Sequence, residues 1–411
     1  MRLTIINQFY TPDLSPTAHL AASLAEHRAA LGDVVRVVTS RGGYVSRSAA
    51  GLAERDGAVK VHRVWTPQLG KSNAIKRCID YGVFYLGALL CLMTLPRQDL
   101  IISLTTPPYI IWTAIVHRLI HARRPKLILW NMDCYPELAE RSDKLRENGF
   151  AASVMRAMNR SVFRRLDHLV CLDRAMVDLL NSQYAPPARA VPTTIIPNWE
   201  PASFFPREEM NPDGSTVPWT GVDEALLRDR FVVLYLGNAG YGHDFETALD
   251  AAAMLRNEAV VFLFVGGGSR WNAIERRVRE RGLANVVMRG YVPKEVTRDV
   301  MRCAHCALIT LRDRILGVMS PSKLHSNLAM GLPVIYVGPE RSNVDDAIAD
   351  HRCGVSVRHG DAQGVADYIR ALQGNEARLA EAKDNARQAF EKAYCDTVAL
   401  TQFDEVIARL G

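Results

Sequence analysis

The sequence lacks several features that would settle its class directly. Its most apolar segment, Tyr81–Leu95, has 15 residues without a charge, whereas a helix needs about 20 to span a bilayer. There is no HExxH pattern, and the Cys303–Cys306 pair has no second CxxC pair at zinc-ribbon spacing. These gaps argue against a membrane-spanning helix, a zinc protease and a zinc ribbon, and leave Tyr81–Leu95 as a buried or membrane-surface helix.

A strong charge and a cysteine pattern are also missing. The 411 residues carry a formal charge of only +6, without a long basic run, which argues against a nucleic-acid partner and weakly favours phosphates or an anionic membrane surface. The eight cysteines are scattered, most of them in apolar runs. Such cysteines are typical of buried thiols in a reducing compartment, so we expect a cytoplasmic protein.

Short β-rich runs alternate with helical patterns along most of the chain. The strand-like runs are continuously apolar, which predicts an α/β protein with parallel sheets covered on both faces. Glu200–Arg230 is rich in Pro, Gly, Asp and Glu and predicts a linker. We therefore expect domains at 1–198 and 231–394, a linker at 199–230, and a C-terminal helix at about 395–411 that packs back on the first domain.

The stretch "VMSPSKLHSNLAMGLPVIYVG" predicts a helix with a lysine in its first turn. Ser320 is a favourable N-cap and Pro321 a favourable first residue. A cation such as Lys323 is disfavoured there by some tenths of a kcal/mol, and a bound anion would reverse the sign. Lys323 therefore either holds a phosphate, with the amides of Ser322 and Leu324, or extends into water.

Glycine-rich loops follow several predicted strands of the second half. "LGNAGYG" contains Gly237, Asn238 and Gly240, and Gly266 begins a triple glycine. Such loops let a ligand approach the backbone closely, although each is also compatible with a tight structural turn. Further candidates are the strand end Arg289, Gly290 and Tyr291, where backbone groups would read a nucleobase edge, and the residues Gly317, Val318 and Met319 before the lysine helix.

The first half offers fewer candidates. The loop "INQFYTPDLSP" contains no glycine, so a Rossmann-type phosphate turn is not expected. Asp133 follows the strand-like run "KLILW", where it would serve either as a base or as a cap for the next helix.

Taken in order, these motifs resemble bacterial family 4 glycosyltransferases. The features that carry the resemblance are "IIPNW", the "LGN-G" loop, Asp133-Cys-Tyr-Pro-Glu137, and the run from Pro321-Ser-Lys to Gly331-Leu-Pro333. The nearest branch assembles surface polysaccharides and O-antigens. The resemblance implies a GT-B fold, in which two Rossmann-like domains have parallel sheets facing a central cleft. It also implies retaining, metal-independent transfer of a hexosyl or N-acetylhexosaminyl group from a nucleotide-sugar, without a cofactor.

The resemblance also implies roles for individual residues. Lys323 and Asp133 would be catalytic. Donor contacts would come from Gly237, Asn238, Gly240, Gly266, Arg289, Gly290, Tyr291, Gly317, Val318, Met319, Ser320, Ser322, Leu324 and Ser326. Acceptor contacts would come from Thr11, Pro12, Thr106 and Glu137.

The sequence departs from the wider family at two positions. Most members carry two glutamates eight residues apart, which fall at Val318 and Ser326 here. The second glutamate usually holds the donor ribose, and the sequence does not select among Asn327, Asn343 and Asp345 as its replacement.

The resemblance further implies a polyprenyl-diphosphate-linked acceptor at the inner face of the cytoplasmic membrane. Lys71, Lys76 and Arg77 adjoin the apolar run, which is the pattern of an interfacial helix; a core helix between sheets is the alternative. Two other functions stay open, a sugar-nucleotide epimerase of the same architecture and a non-catalytic subunit of an assembly complex.

Overall fold

The computed structural model describes residues 1–13, 15–41, 58–69, 74–120, 124–186, 189–205, 219–222 and 226–411. Within these ranges the strands form two parallel sheets, one of seven strands and one of six. Helices connect most neighbouring strands, so the predicted α/β class with parallel sheets is confirmed.

The first sheet has the order β3-β2-β1-β4-β5-β6-β7. The central strands are buried apart from the exposed first residues of β1 and β5, because helices cover both faces of a parallel sheet. Its strands are β1 (Arg2–Ile6), β2 (Val34–Ser40), β3 (Val59–Val64), β4 (Leu100–Leu104), β5 (Lys126–Trp130), β6 (His168–Cys171) and β7 (Thr193–Ile195).

The second sheet has the order β10-β9-β8-β11-β12-β13. The chain order reverses between β1 and β4 in the first sheet and between β8 and β11 in the second. Ligands of open α/β sheets bind at the carboxyl ends of the strands at such a point. The strands are β8 (Phe231–Asn238), β9 (Val260–Gly267), β10 (Val286–Arg289), β11 (Cys306–Thr310), β12 (Val334–Val337) and β13 (Gly354–Val357).

The helices follow the strands in chain order. In the first half they are α1 (Pro16–Ala30), α2 (Ala74–Thr94), α3 (Ile111–Ile120), α4 (Glu137–Arg141), α5 (Phe150–Phe163) and α6 (Arg174–Tyr184). In the second half they are α7 (Glu246–Met254), α8 (Trp271–Glu280), α9 (Thr297–Arg302), α10 (Lys323–Ala329), α11 (Asn343–His351), α12 (Ala362–Gln373), α13 (Glu376–Ala389) and α14 (Asp396–Ala408). A π-helix, Phe390–Tyr394, separates α13 from α14.

Two compact units divide the chain. Unit 1 contains residues 1–172, 176–196 and 400–411, and unit 2 contains residues 173–175 and 197–399. The last turns of α14 belong to unit 1. There Phe403 meets the Trp130 ring edge-on at 4.7 Å, and Asp404 lies 2.7 Å from the Arg28 guanidinium.

Helix α10 begins later than the sequence predicts. Its first residue is Lys323, and its N-cap is Ser322, whose side chain makes no capping bond. Ser320 and Pro321 lie outside the helix, so the prediction of Ser320 as N-cap is wrong. The Pro321 carbonyl accepts a hydrogen bond at 3.4 Å from the Asn343 side chain, which holds this segment beside α11.

Helix α2 is longer than the uncharged run that predicts it. Its residues 76–94 have a mean hydropathy of 1.3, and only 22% of that window is buried. In the described ranges this is the one helix whose length and composition would allow it to cross a membrane. The same test is also passed by core helices of globular proteins.

We expect Phe403→Ala to destabilise unit 1 by about 3–5 kcal/mol, because it leaves a cavity beside the fully buried Trp130. Urea unfolding measures the loss. Glu405→Ala, on the exposed face of the same helix, is the matched control and should change the free energy of unfolding by less than about 0.5 kcal/mol. Equal effects of the two substitutions would contradict a packing role for Phe403.

Candidate active site

A cavity of about 240 Å³ lies at the carboxyl ends of β8 and β9 in unit 2. It brings together five residues that the sequence predicts at the donor site. Its lining is Leu236, Gly237, Val265, Gly266, Tyr291, Val292, Thr297, Lys323, Ser326 and Asn327.

Two glycines allow this cavity to form. Gly237 and Gly266 have φ of +124° and +145°, which side chains rarely adopt. A Cβ on Gly266 would lie 2.0 Å from the Gly237 carbonyl oxygen, and a Cβ on Gly237 would lie 3.1 Å from Cε of Lys323. The lysine side chain therefore lies directly across a strand end that only glycine permits.

The Lys323 ammonium is surrounded by neutral groups. Its Nζ lies 3.1 Å from His243 Nε2 and 3.4 Å from the Asn238 carbonyl oxygen. It also lies 5.1 Å from the centre of the Tyr235 ring, a cation–π distance. Burial lowers the pKa of Lys323 to about 8. Among the residues that the structure describes, no carboxylate forms an ion pair with this ammonium, so the group is suited to bind an anion.

His243 is a site residue that the sequence analysis did not identify. Its ring is buried, and Nδ1 lies 2.7 Å from the Thr310 carbonyl oxygen. Burial, followed by the charge of Lys323, lowers the pKa of His243 to about 3. The ring is therefore neutral at physiological pH. The sequence did contain one signal for this residue, because His243 ends the glycine loop "GNAGYGH" directly after a strand.

Tyr291 lines the cavity and reaches Asn238, which in turn lies beside Gly240. Tyr291 is 66% exposed, and its hydroxyl lies 3.4 Å from Asn238 Oδ1. A Cβ on Gly240 would lie 3.3 Å from the Asn238 amide nitrogen. An exposed aromatic ring at the edge of a cavity is suited to stack on a planar ligand group.

Two predicted donor contacts face the core instead of the cavity. The side chains of Val318 and Leu324 are completely buried. The Val318 N–H is already bonded to the Ile315 carbonyl at 3.1 Å. These residues support the loop and the helix from beneath.

The other predicted donor residues lie on neighbouring loops. Gly317 has φ of +76° and forms the turn after β11. The Met319 sulfur packs against Gly242, Ser320 is half-buried and Ser322 is exposed. Arg289 donates to its neighbour's carbonyl, that of Met288, at 2.9 Å, and a Cβ on Gly290 would meet open space.

The structure separates the three candidates for the missing glutamate. Asn327 lines the cavity beside Ser326. Asn343 binds the Pro321 carbonyl, and Asp345 accepts a hydrogen bond from Arg358 at 2.7 Å. Asn343 and Asp345 therefore have structural partners elsewhere.

Asp133 lies at the carboxyl end of β5 in unit 1, where it lines a small cavity of about 30 Å³ with Asn131, Tyr135 and Asn159. Its backbone N–H donates to the Thr105 hydroxyl at 3.2 Å. Burial raises the pKa of its carboxyl group to about 6. The N-cap of α4 is Pro136, so the alternative that Asp133 caps this helix is wrong.

The predicted acceptor residues fall into two groups. The Thr106 carbonyl accepts from the Gln8 N–H at 2.8 Å, which joins the loops after β1 and β4. The Thr11 carbonyl accepts from Arg63 at 2.6 Å, and Pro12 is exposed beside it. These loops lie at the same edge of the sheet as Asp133.

Glu137 lies in the interior of unit 1. Its side chain is 6% exposed, and one oxygen lies 3.9 Å from the Arg156 guanidinium. The Tyr184 hydroxyl donates a hydrogen bond to it. In the part of the chain that the structure describes, no group of three or more His, Cys, Asp and Glu side chains is placed to hold a metal ion.

Comparisons with known proteins identify the family. Residues 17–199 match the model of the glycosyl transferase 4-like domain, and residues 230–375 match glycosyl transferases group 1. The two matches together span most of the chain. The chain therefore belongs to this glycosyltransferase family, and it is a glycosyltransferase.

Similar proteins agree with this assignment. The chain is 24% identical over 310 residues to the probable glycosyltransferase WbjE of Pseudomonas aeruginosa, covering 75% of this chain and 74% of that one. It is 23% identical over 341 residues to WcaI of Escherichia coli, a putative colanic acid biosynthesis glycosyl transferase, covering 80% and 82%.

Solved structures show the same GT-B fold. Sucrose-phosphate synthase from Thermosynechococcus elongatus superimposes with a TM-score of 0.71 at 15% identity, covering 100% of this chain and 99% of that one. Anabaena HepE in complex with UDP-glucose superimposes with a TM-score of 0.68 at 14% identity, covering 100% of both chains. The predicted fold is thereby confirmed.

We expect Asp133→Asn to stabilise unit 1 in a pH-dependent way. The pKa of the folded carboxyl group, about 6, lies above its ordinary value of 3.8. The protonated form therefore stabilises the fold at low pH, and this contribution is lost as the pH rises through 6. The variant should match the wild type at pH 4 and exceed its free energy of unfolding by up to about 3 kcal/mol at pH 8.

Urea unfolding at the two pH values measures this difference. Gln183→Ala, which changes an exposed residue that does not titrate in α6 of the same unit, is the control and should change the free energy of unfolding equally at both pH values. A constant difference between Asp133→Asn and the wild type would indicate an unperturbed carboxyl group.

Proposed function

We propose that this protein is a retaining glycosyltransferase of bacterial surface-glycan synthesis that takes its sugar from a nucleoside diphosphate donor. The observation that carries the proposal is the half-buried Lys323 ammonium, which has no carboxylate partner among the described residues and lines a cavity with backbone glycines. Support for the pathway comes from WcaI, whose name assigns it to colanic acid biosynthesis.

Unit 2 binds the donor in this proposal. The Lys323 ammonium contacts the diphosphate and stabilises the negative charge that builds on it as the bond to the sugar breaks. Tyr291 stacks on the base, and Ser326 with Asn327 binds the ribose hydroxyls in place of the missing glutamate. Support for a nucleotide-sugar comes from HepE, which has the same fold and was solved with UDP-glucose.

Unit 1 binds the acceptor. The bond from the anomeric carbon to the phosphate oxygen breaks, and a bond to the acceptor oxygen forms on the same face of the sugar. Asp133 takes the proton of the acceptor hydroxyl, for which a pKa of about 6 is well placed. The cationic Lys323 performs the charge neutralisation that other transferases assign to a metal ion, so the reaction needs no metal.

We expect Lys323→Met to weaken binding of the preferred nucleotide by at least about 100-fold, because a charge-assisted contact is lost. The preferred nucleotide is first selected among UDP, GDP, ADP and TDP by thermal shift. Wild-type affinity should fall by up to about tenfold per pH unit above the pKa of the free lysine, about 8, and should level off above the pKa of the complex, which is higher because the bound anion stabilises the ammonium. Lys323→Arg, whose charge does not titrate, is the matched control and should lack this alkaline loss. Calorimetry measures both effects.

Three outcomes would contradict the proposal. Wild-type affinity in Lys323→Met would exclude the lysine contact. Loss of transfer in EDTA, restored by Mg²⁺ or Mn²⁺, would exclude metal independence. Isomerisation of UDP-N-acetylglucosamine without an acceptor would instead indicate an epimerase.

The acceptor is proposed to be polyprenyl-diphosphate-linked and to be reached at the inner face of the cytoplasmic membrane. Helix α2 supports this because its two faces differ. Phe84, Ala88 and Leu92 are completely buried. Large apolar side chains are exposed on the opposite face, at Ile79 (45%), Leu86 (60%) and Leu90 (58%).

The spacing of these residues explains the two faces. Residues seven and four positions apart lie on one line of a helix, so Ile79, Leu86 and Leu90 form a single exposed stripe. Lys76, exposed one turn before Ile79, adds a positive charge at the end of the stripe. Apolar side chains beside basic ones are the pattern of a helix that lies in a membrane interface.

We expect the wild type to co-sediment with vesicles of phosphatidylglycerol, and less so at high salt. Leu86→Glu/Leu90→Glu should abolish the binding, and Lys76→Glu/Arg77→Glu should weaken it, without changing nucleotide affinity. Lys71, the third predicted basic residue, lies outside the described residues. Arg276→Glu/Arg279→Glu, on the exposed face of α8, makes the same charge change in unit 2 and should retain binding. Failure of the wild type to bind vesicles without salt would exclude an interfacial helix.

A further inference from the structure

The loop after β8 carries a histidine whose ring turns inward. His243 is only 6% exposed, and its Nε2 lies 3.1 Å from the Lys323 ammonium. We propose that His243 is a positioning residue that holds this ammonium where the donor diphosphate binds. The inference rests on the proposed function of Lys323 and adds a residue that acts through it.

The tautomer of the ring follows from its other contact. The Thr310 carbonyl oxygen, 2.7 Å from Nδ1, can only accept a hydrogen bond. Nδ1 therefore carries the proton and donates it to Thr310, which leaves Nε2 with a lone pair. Since an ammonium can only donate, the hydrogen bonds run in one direction, from Lys323 to His243 and from His243 to Thr310.

Packing and backbone fix the position of this ring. It meets Tyr235 edge-on at 5.9 Å and Phe245 at 6.2 Å. Thr310 is the last residue of β11, the strand next to β8 at the point where the chain order reverses. Lys323 has a long flexible stem, so a fixed acceptor lowers the entropy that must be lost when the anion binds.

His243 also favours the charged form of Lys323. The groups that face the ammonium are the Tyr235 ring from β8, the Asn238 carbonyl from the strand end and the His243 ring from the loop. Arg270, before α8, acts on the histidine ring as a further positive charge. Within the described residues these groups include no anion. A lone pair on Nε2 is therefore the main compensation that the protein offers this half-buried charge, and its removal should lower the pKa of Lys323 below 8.

Two substitutions separate the two contacts of the ring. The amide of His243→Gln reaches the position of Nε2 and can accept from Lys323. The shorter amide of His243→Asn lies near the position of Nδ1, where it can donate to Thr310 but cannot reach Lys323. The proposal therefore expects Gln to resemble the wild type and Asn to differ from it.

Competitive labelling with acetic anhydride, read by mass spectrometry across pH, gives the titration of Lys323 without any ligand. We expect His243→Asn to lower the pKa of Lys323 by about one unit, which raises the unprotonated fraction about fivefold at pH 7. His243→Gln should stay within about half a unit. His325→Asn is the matched control: this buried histidine also has Nδ1 near a carbonyl, Ser322 O at 3.0 Å, but its ring packs against Tyr394. It should leave the titration of Lys323 unchanged.

A second measurement uses inorganic pyrophosphate as the probe. We expect its Kd near pH 8 to rise about tenfold in His243→Asn and less than about threefold in His243→Gln, since the first variant lacks both the fixed acceptor and part of the lysine charge. Identical titration and affinity in Asn, Gln and wild type would overturn the proposal. If His243→Asn lowers the pKa of Lys323 but the wild type binds neither pyrophosphate nor a nucleotide, the positioning contact stands and the proposed function fails.

Discussion

The half-buried ammonium of Lys323 is the constraint on which the organisation of unit 2 depends. A charged group removed from water is costly unless other groups replace its hydration. Here the replacements are a histidine lone pair, a backbone carbonyl and an aromatic face, all of them neutral. Partial compensation of this kind keeps the amine available for an anion, whereas a carboxylate partner would have neutralised it.

The surrounding backbone is shaped by the same requirement. The lysine side chain crosses the end of β8 at Gly237, which has no Cβ. Gly266 near the end of β9 has no Cβ either, so its backbone can lie against the Gly237 carbonyl. Residues with side chains at these two positions would close the cavity from below. Val318 and Leu324, completely buried, hold the loop and helix that carry the lysine.

The two units present complementary chemistry. In unit 2 burial lowers the pKa of a cation, and in unit 1 burial raises the pKa of a carboxyl group, Asp133, to about 6. Both groups lie at the carboxyl ends of parallel strands. Burial therefore makes the charged form of each group less favourable than it is in water, and a stability cost at a functional position is a usual feature of enzymes. In the proposed transfer reaction, Lys323 would neutralise the leaving phosphate and Asp133 would accept a proton.

The sequence by itself determined the α/β class, the position of the main strands, the family, and the identity of Lys323 and Asp133 as reactive candidates. These follow from local signals, because periodicity, glycine clusters and short motifs are readable along the chain. It did not determine that α10 begins at Lys323, that Val318 and Leu324 face the core, or that α2 exposes one apolar stripe. Nor did it identify His243, which lies 80 residues from Lys323 in sequence and 3.1 Å from it in space. That contact exists because β8 and β11 are neighbours in the sheet, and strand order is a property of the packed structure that no local pattern encodes.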